Sequence, residues 1–116
     1  MAMEVLFASV PVADLHAAMG WYEQLFGRPA DIVPNGDEAM WSVTENGWVY
    51  VIKDLARAGR TEVTISVSDL DQFVADLASR GIPTGPIDAV GDTGRKAEVV
   101  DRDGNVISWI QVATGG

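Results

Sequence analysis

Apolar positions along the chain change period in a fixed order, and the order occurs twice. Val5 to Val10 is a short, dense apolar run of the length of a buried strand. From Asp14 the period becomes helical: Leu15, Ala18, Met19, Tyr22, Leu25 and Phe26 fall on one face. Asp14 stands where a carboxylate accepts the backbone N–H groups of a first turn. Gly27 supplies a C-terminal stop, and Pro29 prevents continuation. Ala30 to Pro34, Glu38 to Thr44 and Trp48 to Lys53 then read as three strands, divided by turn signals at Asn35-Gly36 and Asn46-Gly47. Asn46-Gly47 predicts a tight two-residue hairpin, because both residues tolerate positive φ.

A charged linker, Asp54 to Arg60, leads into the second round. Glu62 to Val67 repeats the first strand, and Asp69 repeats the cap. Leu70, Phe73, Val74 and Leu77 repeat the helical face, and Gly81 ends it. Pro86 to Val90, Arg95 to Val100 and Val106 to Val112 are strands, separated by the loop Gly91-Asp92-Thr93-Gly94 and a turn at Asp103-Gly104. Asp69 follows Asp14 by 55 positions, and Gly81 follows Gly27 by 54. A βαβββ order repeated at a fixed offset marks two like modules. The pattern predicts one α+β domain over residues 1–116, with a first module over 1–54, a linker over 55–60, a second module over 61–113 and a frayed Gly115-Gly116 end. A site is expected between the halves.

Composition narrows the function classes. The 47% hydrophobic content across 116 residues suits a globular chain with one core. No apolar run approaches the ~18 residues that span a bilayer, and no basic segment precedes an apolar one at the N-terminus. Cysteine is absent, which excludes disulfides, thiolate catalysis and zinc–sulfur sites and agrees with an expected cytoplasmic location. The net charge is −9, from 17 acidic and 8 basic residues. Such a surface repels nucleic acid and anionic lipid and attracts a cationic ligand. The expected partner is a small molecule, with no nucleic acid and no membrane.

Three stretches carry a resemblance to a known family. Val12-Ala13-Asp14-Leu15 precedes Trp21-Tyr22-Glu23-Gln24-Leu25-Phe26-Gly27, similar to a family helix that ends in F-Y-x-x-x-L-G. Asp69-Leu70 to Gly81-Ile82-Pro83 is similar to the second-module helix, and Asp101-Arg102-Asp103-Gly104-Asn105-Val106-Ile107 looks like the D-P-D-G-N run before the last strand. In this order and spacing the chain resembles the vicinal oxygen chelate superfamily, which contains glyoxalase I, extradiol dioxygenases and bleomycin resistance proteins. The resemblance implies two βαβββ modules that curl into an eight-stranded mixed sheet, each forming half of a cup. Metal-dependent members hold a divalent ion with His or Gln on the first strand of each module and Glu on the last.

The metal positions carry over poorly. The first-strand ligand lies seven residues before the cap Asp, which gives Phe7 and Glu62. The last strands offer Tyr50 or Ile52 in the first module and Ser108 in the second. One carboxylate and hydroxyls do not make a catalytic site, because zinc needs about three protein ligands and transition metals favour imidazole or thiolate. His16, the only histidine, reads as a surface residue in the first helical turn, so Ser9, Ser42, Ser66 and Ser108 have no imidazole base. No metal and no cofactor are expected.

The aromatic residues supply the remaining signal. Trp48, Tyr50 and Ile52 share one face of a strand by alternation, and Phe7 occupies a former ligand position. Trp109 falls opposite to Ser108 and is expected to pack on a helix. The expected ligand site therefore comprises Phe7, Trp48, Tyr50, Ile52, Glu62 and Ser108. An apolar cup with a few polar groups suits a flat or cationic molecule held by stacking and cation–π contacts. The resemblance points to the metal-free binding branch that sequesters bleomycin-type antibiotics as homodimers. The alternative is a glyoxalase-like enzyme: a metal-independent isomerase or cyclase with Glu62 as its candidate catalytic base, or a lyase or dioxygenase with substitute ligands drawn from Glu4, Glu62 or Glu98.

Overall fold

The computed structural model describes residues 2–112. The element order is β1 (Leu6–Val12), α1 (Leu15–Phe26), β2 (Ile32–Asn35), β3 (Glu38–Thr44), β4 (Gly47–Lys53), β5 (Glu62–Ser66), α2 (Leu70–Ser79), β6 (Asp88–Val90), β7 (Gly94–Val100) and β8 (Val106–Val112). This is βαβββ twice, and all eight expected strands are present. They form two four-stranded mixed sheets, ordered β1-β4-β3-β2 and β5-β8-β7-β6. In each sheet the first strand runs parallel to the last and the remaining pairs are antiparallel. The expected frayed Gly115-Gly116 end lies outside the described residues.

The caps follow the sequence pattern. The Asp14 side chain accepts from the Ala17 N–H and that of Asp69 from the Gln72 N–H, each at 3.1 Å. Gly27 closes α1 at φ +76°, a left-handed conformation that a side chain would strain. The Asn46-Gly47 hairpin lies where the sequence predicts it but with other turn chemistry. No described residue other than glycine has positive φ, and Gly47 is not among the glycines that do. The turn falls on Glu45-Asn46, Gly47 opens β4 opposite Thr44, and a register shift between Ser42 and Thr44 takes up the difference. A side chain at Gly47 would collide with the Thr44 hydroxyl, so close approach is what requires glycine here.

Alternation divides each sheet into two faces. In the first, Val10, Val51 and Ala39 stand in one row and Ala8, Val49 and Trp41 in the next, and this face packs on α1. In the second, Val63, Ile107 and Val99 form one row and Ile65, Trp109 and Ala97 the next, under α2. Both inward faces contribute to one hydrophobic core, with Trp41, Trp109, Tyr22, Leu25, Leu70 and Leu77 buried in it. The two modules thus meet through their helix-bearing sides. Burying that many large apolar side chains, at roughly 1.5–3 kcal/mol each, supplies the main drive to join them. The opposite face of each sheet is left turned outward.

Candidate functional site

The outward face of the first sheet is aromatic. Phe7, Trp48 and Ser42 form one row, Ser9, Tyr50 and Met40 the next, and Pro11, Ile52 and Glu38 the third. Phe7 and Trp48 stack with ring centroids 6.3 Å apart and planes 26° from parallel. Phe7 is 51% exposed, while Trp48, Tyr50 and Ile52 are half-buried. Four of the six sequence-predicted site residues therefore share one accessible surface. Trp41 and Trp109 lie on the inward faces, Trp41 against Phe26 and Tyr22 and Trp109 against Phe73.

The outward face of the second sheet is polar. Thr64, Ser108 and Glu98 form its middle row, with Glu62, Val106 and Val100 on one side and Ser66, Ile110 and Lys96 on the other. Glu62 is exposed and forms no ion pair among the described residues. Arg95 on β7 makes a two-pronged bond to Asp71 at 2.8 and 2.9 Å. Ser108 is fully buried, its hydroxyl 2.8 Å from that of Thr64, so the exposed hydroxyls of this face are those of Thr64 and Ser66. Thr64 and Met40 belong to these surfaces and were not among the sequence-derived candidates, whereas Glu98 was named there only as a substitute metal ligand. Its pairing with Ser108 was readable, since Glu98 and Ser108 each stand five residues from Asp103 at the centre of the hairpin turn.

The structure keeps the two faces apart within one chain. Trp48 and Tyr50 stand on the sheet of β1 to β4, and Glu62 and Ser108 on the separate sheet of β5 to β8. The fold family's metal-dependent members imply a divalent ion, and the donors here do not fit one. The corresponding positions are Phe7, Tyr50 or Ile52, Glu62 and the buried Ser108. Among the described residues no group of three or more His, Cys, Asp or Glu side chains is placed to hold a metal. A single carboxylate does not hold a divalent cation in a defined geometry.

Polar contacts fix the angle at which the modules present these faces. Tyr22 on α1 donates to Asp101 at 2.6 Å. Asn105 donates to the Pro11 carbonyl at 2.7 Å, and Asp103 accepts from the Ala13 N–H at 3.2 Å. At the far end of the helices, Arg80 donates to the carbonyls of Gln24 and Leu25 at 2.8 and 2.9 Å. Burial, then the bond to Asp101, pushes the Tyr22 hydroxyl well above the ordinary phenol range, so it stays a donor.

Two βαβββ modules with parallel outer pairs and helices packed between the sheets define the vicinal oxygen chelate class of folds. A glyoxalase/bleomycin resistance protein from Catenulispora acidiphila superposes with a TM-score of 0.87 at 31% identity, covering 95% of this chain and 99% of that one. The chain belongs to the glyoxalase/bleomycin resistance protein family. TnmS3, an antibiotic binding protein from Streptomyces sp. CB03234, superposes at 0.75 with 24% identity, covering 97% of this chain and 99% of that one. A lactoylglutathione lyase from Agrobacterium tumefaciens superposes at 0.76 with 13% identity, covering 92% of each chain. The last two share the fold, which hosts both binders and enzymes. No protein-family model and no curated protein matches the sequence.

Proposed function

We propose that this chain binds a small molecule without a metal, stacking its flat part on Phe7, Trp48 and Tyr50 and pairing a cationic group with Glu62 and Glu98. The observation that supports this reading is the complementary chemistry of the two outward faces, one aromatic and one carrying carboxylates and hydroxyls. Each aromatic contact to a cation contributes roughly 0.5–2 kcal/mol. Neither face is closed within one chain, so a second copy is the element that opposes one face to the other. The proposed unit is a homodimer, and sequestration of a drug is the proposed role. An antibiotic binding protein and a bleomycin-binding protein in complex with bleomycin share the fold, which supports the ligand class.

One observation favours catalysis as a second reading. Glu62 stands two positions before Thr64 on the same outward face, beside the Thr64–Ser108 hydroxyl pair. A carboxylate that a partner face desolvates is a candidate proton acceptor for an isomerase or cyclase.

The test is a tryptophan fluorescence titration with bleomycin, in chelator and at two salt concentrations, run beside sedimentation velocity. Saturable quenching that weakens with salt, on a dimer, is expected. A flat response, or a monomer at micromolar concentration, overturns drug sequestration.

A further inference from the structure

A cleft separate from the aromatic face opens at the seam between the modules, on their helix-bearing sides, and reaches the second sheet's outward row only at Ser66. Its volume is about 310 Å³, the small end of the roughly 300–1,000 Å³ range of ligand pockets. Phe26 at the end of α1, Val43 on β3, Ile65 on β5 and Phe73 on α2 form its apolar wall, with the Trp109 indole behind Phe73. All four wall residues are half-buried core-edge side chains, so the cleft is a gap in the packing where the two modules fail to close.

The polar edge of this cleft is cationic. Arg28 and Arg80 both line it. Arg28 is neutralised by Asp31 at 2.9 Å, and its guanidinium holds that carboxyl below the usual range. Arg80 has no such counter-ion. No carboxylate lies within salt-bridge distance of it among the described residues. Its Nε and Nη2 bond only to the Gln24 and Leu25 carbonyls, and its Nη1 has no hydrogen-bond partner among the described residues. Those two bonds pin a long, flexible side chain at the mouth, so a ligand does not have to order it. In a chain of net charge −9, a fixed and half-buried cation at the edge of an apolar cleft selects a particular chemistry. An apolar body fills the gap, and a carboxylate approaches the remaining guanidinium donor.

We infer that the seam between the modules is a second small-molecule site, which takes a compact aromatic carboxylate against Phe26, Phe73 and Arg80. The site is complete within one chain and does not rest on the proposed function of the outward faces.

The test uses 2-naphthoate as probe and 2-naphthylmethanol as its uncharged counterpart, followed by NMR on the full chain. The Trp109 indole N–H is expected to shift saturably with naphthoate while that of Trp48 stays still. The alcohol is expected to bind at least about tenfold more weakly, a difference of about 1.4 kcal/mol. Arg80→Gln should reduce naphthoate binding to the level of the alcohol. Arg80→Gln also loosens the end of α1, so Val43→Phe, which fills the gap from one wall, serves as a second variant and should abolish binding of both probes. Shifts at Trp48 alone, no saturable shift at Trp109, or equal affinity for acid and alcohol overturn the proposal. Bleomycin binding that moves Trp48 and leaves Trp109 unmoved tests the outward faces separately.

Discussion

The Tyr22 hydroxyl donates to Asp101 Oδ2 at 2.6 Å, joining a helix of the first module to a turn of the second across 79 residues of sequence. Asp101 is the hub of that turn. Its Oδ1 accepts from the backbone N–H groups of Asp103, Gly104 and Asn105 at 2.9 Å each, and its Oδ2 also accepts from the Asn105 amide at 2.8 Å. The same amide reaches the Pro11 carbonyl, so one carboxylate shapes the turn and holds it on β1. Tyr22→Phe removes one bond to a charged acceptor and is expected to cost about 1.5–3 kcal/mol. Asp101→Ala leaves several buried donors unpaired and is expected to cost more than about 3 kcal/mol. Urea denaturation of the two variants checks both values. A loss below about 0.5 kcal/mol for Tyr22→Phe would remove this bond from the account of how the modules are held.

Alkaline pH acts on the same pair. The native hydroxyl keeps its proton above the ordinary phenol value of 10.0, because burial and the Asp101 carboxylate both oppose a phenolate. A group whose native pKa is raised contributes its stability fully below the unfolded value and loses it as pH rises beyond. Stability is therefore expected to hold up to pH ~10 and to fall above it, with a shallower fall in Tyr22→Phe. Denaturant midpoints measured between pH 8 and 11.5 report the difference.

Gly59 and Gly81 make a controlled comparison. Both adopt positive φ, +81° and +83°. A Cβ at Gly59 would collide with the Asp103 carbonyl, whereas one at Gly81 meets open space. Gly81→Ala is expected to cost about 1 kcal/mol from backbone strain alone. Gly59→Ala adds a backbone collision at the turn that carries Asp103, and is expected to cost at least about 2 kcal/mol. Equal thermal shifts in the two variants would mean that the linker moves freely off the turn.

These relationships also mark what the sequence made legible. Asp14, Asp69 and Gly27 act over three or four residues, and their roles were readable because the partners are local. Trp48, Tyr50 and Ile52 were readable as one face, since alternation depends only on the strand, and parity placed Trp109 on the other side. The Tyr22–Asp101 bond was not readable, because nothing local reports which element a phenol meets 79 residues away. Nor was the way the modules meet. Both faces of each sheet carry apolar residues, so periodicity could not decide which would be buried against the other module. The Asn46-Gly47 turn took a different conformation because the bulge after Ser42 moved the turn back by one residue.

Acid sensitivity is expected at an exposed pair. The Arg95 guanidinium holds the Asp71 carboxyl below its ordinary value of 3.8, chiefly through their hydrogen bonds. A depressed native pKa contributes stability that is present above the unfolded value and lost as pH falls through the native one. The contribution is thus constant near neutrality and disappears below pH ~4. Asp71→Asn should flatten the pH dependence of unfolding in that window, and molar salt should shrink the difference because the pair is open to solvent. An unchanged acid profile in Asp71→Asn would mean that the bidentate contact adds nothing.

Trp41 and Trp48 separate the two faces of the first sheet experimentally. Trp41 is fully buried against Phe26 and Tyr22, and its indole N–H donates to the Arg28 carbonyl at 3.0 Å. Trp41→Ala is expected to cost about 3–5 kcal/mol, as other deletions of large core aromatics do. Trp48 packs on Phe7 at the open face, so Trp48→Ala in the monomeric chain should change stability by no more than about 1 kcal/mol. Iodide should quench the emission that Trp48→Ala removes and leave the buried emission intact. The proposed homodimer, with a second copy over the aromatic face, makes a sharper expectation. Quenching of Trp48 by iodide should then fall as protein concentration rises, and Trp48→Ala should weaken the dimer while the single chain keeps its unfolding midpoint. Quenching that is independent of protein concentration would overturn the proposed pairing of copies over this face.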